Sequence, residues 1–321
     1  MTAAYRLDVV VPCYNEADVL PVTLPTVLAE LRRLVASADN RLGAFRLLAV
    51  NDGSRDATWA VIERFASDNA EVEGIGLSRN CGHQLAMLAG LSHADADAVV
   101  TMDADLQDDI GTIERMLAAF ENGADLALGV RIDRSSDQRR KRWTAQTYYR
   151  LLLALGVRIV PDHADFRLMS RRALAALLSH GEVNLFLRGL IPSLGFNVTL
   201  VPFVRNSREL GSSKYTLRKM FGLAIDGITS FSVVPLRLIA VLGLVLFGCT
   251  VLLSGLFLWL WLIRAGNFVP GWASIVLPML MLGGVQLLSI GVLGEYIGKV
   301  YLETKRRPRF IVQETTFGEH R

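Results

Sequence analysis

The 321-residue chain is poor in cysteine and dominated by neither sign of charge. Cys13, Cys81 and Cys249 are its only thiols, have no metal-like spacing and cannot all pair with one another, which excludes a disulfide framework and favours a reducing, cytoplasmic setting. Lys and Arg total 34 against 31 Asp and Glu, a net charge of only +3. With aromatics at 8% and no basic stretch studded with them, the chain offers no nucleic-acid face. Met1 to Asn15 lacks a basic start and a long apolar core, so no cleaved signal peptide is expected. The basic residues that do cluster, Arg131 to Arg142 and Lys305 to Arg309, suit anionic lipid or phosphate.

What the chain does have is apolar excess, with a mean hydropathy of +0.35 concentrated after residue 235. Leu236 to Ile263 and Ala273 to Ile297 each exceed the ~20 apolar residues that cross a hydrocarbon core, so two transmembrane helices and a lipid bilayer partner are expected. Trp259, Trp261 and Trp272 fall near the short connection, as an interfacial belt would. That connection carries Arg264 alone, whereas Arg218, Lys219 and Arg237 precede the first span and Lys299, Lys305, Arg306, Arg307 and Arg309 follow the second. Both ends are therefore expected in the cytoplasm. Gly283, Gly284, Gly291, Gly294 and Gly298 put small residues along the second span. They either pack it on the first span or on another copy of the chain in a homo-oligomer, or reflect the tolerance of membrane helices for glycine. Glu295 is expected to face protein, headgroups or Lys299, four residues on.

The first part of the chain alternates strand-like runs (Leu7–Val11, Arg46–Val50, Val72–Leu77, Ala98–Met102, Leu126–Val130) with helical spacing (Leu20–Val35, Ala57–Ala66, Gln84–Ser92, Ile110–Phe120). This pattern predicts an α/β fold, a mostly parallel sheet with flanking helices and functional loops at the strand ends. Polar loops do follow the strands: Pro12-Cys-Tyr-Asn-Glu16, Asn51-Asp-Gly-Ser-Arg-Asp56 and Arg79-Asn-Cys-Gly-His-Gln84. Each either caps the next helix or meets a ligand. The fourth, Asp103-Ala-Asp-Leu-Gln107, puts two carboxylates one residue apart at a buried strand's end. Asp103 and Asp105, with Gln107 nearby, are hard oxygen ligands suited to Mg²⁺ or Mn²⁺ carrying a diphosphate.

These loops, together with Asp165-Phe-Arg-Leu-Met169, Phe186-Leu-Arg-Gly189 and Arg208-Glu-Leu-Gly-Ser-Ser-Lys-Tyr215, carry a resemblance over nearly the whole chain. It resembles the family-2 glycosyltransferases of GT-A fold, in the membrane-anchored polyprenyl-phosphate branch that includes dolichyl-phosphate mannose synthases and bactoprenol glucosyl transferases. The resemblance implies a nucleotide-sugar donor, linked through UDP or GDP, and a polyprenyl phosphate acceptor. By it, Pro12, Tyr14, Glu16, Asn51 and Asp52 would hold the nucleotide together with Asp103, and Asp103, Asp105 and Gln107 the cation. Asp165 would lie near the reacting sugar, with Arg131, Arg208 and Lys214 around the lipid phosphate. Asn51 stands where many relatives have Asp and brings no charge; Asp109 stands where Pro is common.

A lipid monophosphate, with a second pKa near ~6, is mostly dianionic at neutral pH and needs little deprotonation. Asp165 is therefore expected to position more than to act as base, or to be tied up in a salt bridge with Arg167 or Arg171. Inversion at the anomeric carbon is implied by the resemblance. Processive polysaccharide synthases, the nearest rival, usually carry Gln-x-x-Arg-Trp and more spans; Gln138-Arg-Arg-Lys-Arg-Trp143 has the wrong spacing. A membrane-tethered nucleotide-sugar binding protein without turnover would have no need of Asp165, Arg208 and Lys214. The expected organisation is a catalytic domain over 1–213, an interfacial segment over 214–235, two spans over 236–300 and a basic tail over 301–321.

Overall fold

A computed structural model describes residues 4–37, 41–131, 163–181, 187–204, 234–263 and 272–317. In chain order the elements are β1 (Tyr5–Cys13), α1 (Leu20–Ala36), β2 (Leu42–Asn51), α2 (Thr58–Asp68), β3 (Val72–Leu77), α3 (His83–His93), β4 (Ala98–Thr101), α4 (Thr112–Glu121) and β5 (Leu126–Arg131). There follow β6 (His163–Ser170), α5 (Arg171–Leu178), α6 (Leu187–Ser193), β7 (Val198–Phe203), α7 (Val234–Ile263), α8 (Trp272–Thr304) and β8 (Val312–Thr315). They fall into two compact units, one holding all eight strands and the other residues 216–306 with both long helices.

The sheet order is β7-β5-β6-β4-β1-β2-β3-β8. β1 pairs in parallel with β2 and with β4, and β2 with β3, so the chain winds one way from β1 and then returns to its other side. That reversal makes the carboxyl ends of β1 and β4 the crevice where an open α/β sheet binds ligands. All five strands expected from the sequence are present, within a few residues at their ends. The sequence pattern did not show β6 as a strand: it lies antiparallel between β4 and β5. Its alternation is masked by two charged residues. Ala164, Phe166 and Leu168 enter the core beside Val100 and Phe203, while Asp165 and Arg167 face the other side.

Strand alternation sorts the helices. Leu7, Val9 and Val11 pack with α1 residues Leu20, Leu24, Val27 and Leu31 and with Ile113 and Met116 of α4. On the opposite face, α3 comes so close to the sheet that a Cβ on Gly90 would collide with the Val10 and Val50 side chains. At the far edge of the sheet from the crevice, buried Arg46 binds Asp8 through Nε and Nη2 (3.1 and 2.8 Å), Glu73 through Nη1 (2.9 Å) and Asp95 through Nη2 (2.8 Å). Asp8 also accepts from the Asp95 and Ala96 amides, so this network ties β1, β2 and β3 to the turn before β4.

In the second unit, α7 has 30 residues and α8 has 33, and Lys299 Nζ lies 4.0 Å from Glu295 Oε1 as expected. Among the described residues no helix is long and apolar enough to cross a membrane. Many α7 side chains and the amino-terminal ones of α8 lie outside that description, so the two expected spans rest on sequence and belong to the proposal below. The segments 138–155, 214–231 and 264–271 also lie outside the described residues. Within the region expected as a basic tail, 301–321, α8 continues to Thr304, and Val312–Thr315 joins the sheet as an edge strand.

Removing the Arg46 cation would leave Asp8, 1% exposed, charged and uncompensated. Arg46→Ala should cost about 3–5 kcal/mol in chemical denaturation, whereas breaking the exposed pair of Arg64 and Asp68 should change stability by less than ~0.5 kcal/mol.

Candidate active site

The ends of β1 and β2 are flush, with Pro12 opposite Val50 and Cys13 opposite Asn51, so their loops start side by side. They are stitched together: the Asn15 amide donates to Ser54 Oγ (2.9 Å), the Arg55 amide to Asn15 Oδ1 (2.9 Å) and the Glu16 amide to Thr58 Oγ1 (2.9 Å). Asp56 accepts from the Ala17 and Thr58 amides, joining the β1 loop to the start of α2. Asn51 Oδ1 accepts from the Ser54 amide (3.1 Å), and the Asp52 carboxylate accepts from the amides of Cys81 (2.6 Å) and Gly82 (2.9 Å). For these two residues the turn-forming role is the one on view, and both are buried. Burial raises the Asp52 pKa, and the two amides counter it. Gly53, at φ +58°, is required here because a Cβ would fall on the Arg79 and Asn80 backbone. Tyr14 lies exposed on the same rim.

Asp103 follows β4 directly. Its Oδ1 is buried without a hydrogen-bond partner, 3.3 Å from His83 Nε2. Asp105 Oδ1 accepts from the Gln107 amide (3.2 Å), and Leu106 at φ +53° turns the loop. The buried Gln107 side chain has an unpartnered Nε2. Arg131, at the end of β5, has Nη2 3.8 Å from Asp108 Oδ1. Among the described residues no three His, Cys, Asp or Glu side chains converge as a metal cage. The donor set still fits a hard dication whose remaining ligands come from a substrate: two neighbouring carboxylates, one with an open buried oxygen.

Asp165 completes the crevice from β6. Because β6 runs antiparallel, its beginning lies at the carboxyl edge of β4, and Thr101 Oγ1 donates to the Asp165 carbonyl (2.5 Å). The Asp165 carboxylate takes Arg167 Nη2 on Oδ1 (2.9 Å) and Arg188 Nη2 on Oδ2 (2.7 Å), with Arg188 Nε also on Oδ1 (3.2 Å). His83 Nε2 stands 3.7 Å from Oδ2, between Asp165 and Asp103. The expected salt bridge to Arg167 is present, while Arg171 instead donates to the Asp95 carbonyl. Arg188, from the Leu-Arg-Gly stretch, is a residue whose role the sequence left unassigned; His83, read from the sequence as either a phosphate or base contact or a capping residue, stands between two carboxylates. His83 and Met87 lie one helical turn apart, matching Asp165 and Arg167 two positions apart on the strand, and Arg167 Nη2 meets Met87 Sδ at 3.4 Å.

Charge sets the protonation of this cluster. Burial works against ionised Asp165, yet His83, Arg167 and Arg188 outweigh it and hold its pKa well below the usual carboxylate range. Burial raises Asp103, with Asp165 and Asp105 adding to the rise and His83 opposing it. His83 is likewise opposed by burial, but its two carboxylates win and raise it. Arg167, fully buried, is pulled down by desolvation, which Asp165 partly restores. Of the sequence-predicted site residues, Pro12, Glu16, Asn51, Asp52, Asp103, Asp105, Gln107, Arg131 and Asp165 lie at the carboxyl-edge loops and strand ends; Arg208 and Lys214 lie outside the described residues.

The family model described as "Glycosyl transferase family 2" matches residues 8–178, from β1 through α5. The chain belongs to glycosyl transferase family 2. The family's GT-A architecture is the sheet described above, and the protein is a glycosyltransferase. Curated relatives extend the match to nearly the full length. "Uncharacterized glycosyltransferase YkoT" of Bacillus subtilis is 42% identical over 98% of this chain and 93% of its own. The "Bactoprenol glucosyl transferase" of Shigella phage SfX is 40% identical over 96% of this chain and 99% of its own. Among solved structures, the mannosyltransferase PcManGT of Pyrobaculum calidifontis, in complex with GDP-Man and Mn²⁺, is 15% identical. It covers 96% of this chain and 77% of its own at a TM-score of 0.49, too distant to inform the site.

A depressed carboxylate contributes stability that is complete above its unfolded pKa, about 3.9, and is lost as pH falls through its lower folded value. Asp165→Asn should therefore destabilise the fold by about 3–5 kcal/mol at pH 7, leaving Arg167 buried without its anion, and the gap to wild type should narrow steadily below pH ~3.9 in acid denaturation.

Proposed function

We propose that this glycosyltransferase moves one glycosyl unit from a UDP- or GDP-linked sugar to a polyprenyl phosphate at the cytoplasmic membrane face, with inversion. The observation that carries this reading is the 40% identity, over nearly the whole of both chains, to a relative named for glucosyl transfer to bactoprenol. The membrane half rests on the sequence, in which 236–263 and 273–297 are predominantly apolar. The basic residues gather before the first of these stretches and after the second, as the positive-inside rule asks of two spans with both ends in the cytoplasm.

Breaking the anomeric C–O bond passes through an oxocarbenium-like state and releases a charged diphosphate. Mg²⁺ or Mn²⁺ held by Asp103 and Asp105 would neutralise that charge when bound. The chain's own contribution is positional. The loops after β1, β2 and β3 frame the nucleotide, and Asp165 fixes the sugar from a carboxylate that Arg167 and Arg188 hold in place. A carboxylate so firmly ionised is a weak base, and a phosphate nucleophile asks little of one. Arg131, Arg208 and Lys214 would hold the acceptor phosphate near the donor.

Purified protein incubated with undecaprenyl or dolichyl phosphate, Mg²⁺ or Mn²⁺ and a panel of UDP- and GDP-sugars should glycosylate the lipid from one donor class. Product on a free saccharide and never on the lipid would reject the acceptor. Asp103→Ala and Asp105→Ala should each lower turnover by roughly 10²-fold or more while leaving expression in the membrane fraction unchanged, since several kcal/mol of charge stabilisation are lost. Full activity in chelator would reject the cation.

A further inference from the structure

We infer that the carboxyl-terminal strand β8 positions the loop that closes the nucleotide site, so that residues 309–317 are part of the donor-binding apparatus; this rests on the proposal that the loops after β1, β2 and β3 hold the nucleotide. The chain returns to the catalytic unit at Arg307. Arg306 at φ +47°, followed by Pro308, ends the helical run. Arg309 Nη2 then donates to the His180 carbonyl (2.6 Å), and β8 runs antiparallel along β3, with Leu77 opposite Val312 and Gly76 opposite Glu314.

The receiving surface is shaped for this strand. Gly74 and Gly76 lie on one face of β3. A Cβ on Gly74 would come within 2.9 Å of the Thr316 Cγ2 methyl, and one on Gly76 within 2.7 Å of Glu314 Cγ; the Trp59 ring closes the same face from α2. Thr316 is held twice, its Oγ1 accepting from the Gly74 amide (2.8 Å) and its amide donating to the Gly74 carbonyl (3.0 Å). Phe317 ends the strap edge-on to His93, with ring centroids 6.2 Å apart.

The strap begins where the donor loop begins. The Ile311 carbonyl accepts from the Ser78 amide (3.0 Å), the residue before Arg79 and Asn80, whose backbone packs on Gly53. Two residues further on, the Cys81 and Gly82 amides hold Asp52. Without β8, β3 would be an edge strand paired on one side only, and the loop leaving it would be fixed from β2 alone. The tail thus reaches the β2 and β3 loops through one continuous run of backbone contacts.

The test uses the full-length protein, with UDP and GDP binding measured by calorimetry in Mg²⁺ and donor KM measured with the lipid acceptor saturating. Thr316→Val, Gly76→Val and deletion of 311–321 should each weaken nucleotide binding and raise donor KM roughly fivefold or more, with kcat and acceptor KM within about twofold of wild type. Thr316→Ser, which keeps the hydroxyl, should bind as wild type does. Val201→Ala, which trims a buried side chain on the opposite edge strand, supplies a control for general destabilisation and should leave donor binding unchanged. If the deletion does not fold, the Thr316 pair decides the matter. Tail variants that bind nucleotide as tightly as wild type overturn the inference alone; a wild-type protein that binds neither nucleotide overturns the proposed function and the inference with it.

Discussion

The polar architecture of the crevice depends on one buried electrostatic arrangement, the Asp165 carboxylate between the guanidiniums of Arg167 and Arg188. Arg167 is fully buried, and a lone cation there would be untenable; Asp165 makes it tolerable, and Arg188 adds the second positive group that keeps the carboxylate ionised. His83 and Asp103 extend the alternation of sign toward the mouth. Removing Asp165 would strand the Arg167 cation in a buried layer, so the cluster's stability rests on that carboxylate.

Much of this was legible in the sequence because parallel sheets write themselves plainly. β1 to β5 are buried runs bounded by polar loops, and α1 and α4 keep a helical apolar stripe. The loops after β1 to β4 marked the carboxyl edge of the sheet through their Asn, Asp and Gly content. What the sequence left open was how those polar atoms are spent. Asn51 and Asp52 read equally as ligands or as turn formers, and only the fold shows their oxygens bound to neighbouring amides. Strand β6 was obscure because its polar positions carry Asp165 and Arg167, a pair that satisfies itself in three dimensions and looks unsuited to a central strand in one. Strand β8 was obscure because Val312–Thr315 is short, and its partner carries glycines where strand formers are expected.

The two units of the chain differ in where their apolar side chains lie. The first gathers its apolar side chains inside and places Asp103, Asp105 and Asp165 at one edge of a sheet; the second leaves large apolar side chains such as Leu252, Leu287 and Ile290 exposed along its helices. Such surface is a liability in water and unremarkable in hydrocarbon.

The antiparallel insertion of β6 has a consequence for how this enzyme can fail. Side chains alternate along a strand, so sliding β6 by a single position would turn the Phe166 ring toward the crevice and drive two charges into the hydrocarbon layer now filled by Ala164, Phe166 and Leu168. No half-functional arrangement lies between those alternatives. The hydroxyl of Thr101 at one end of the strand and the Ser170 contact with Asp125 at the other act as index marks, and a chain that misses them loses the Asp165 and Arg167 pair.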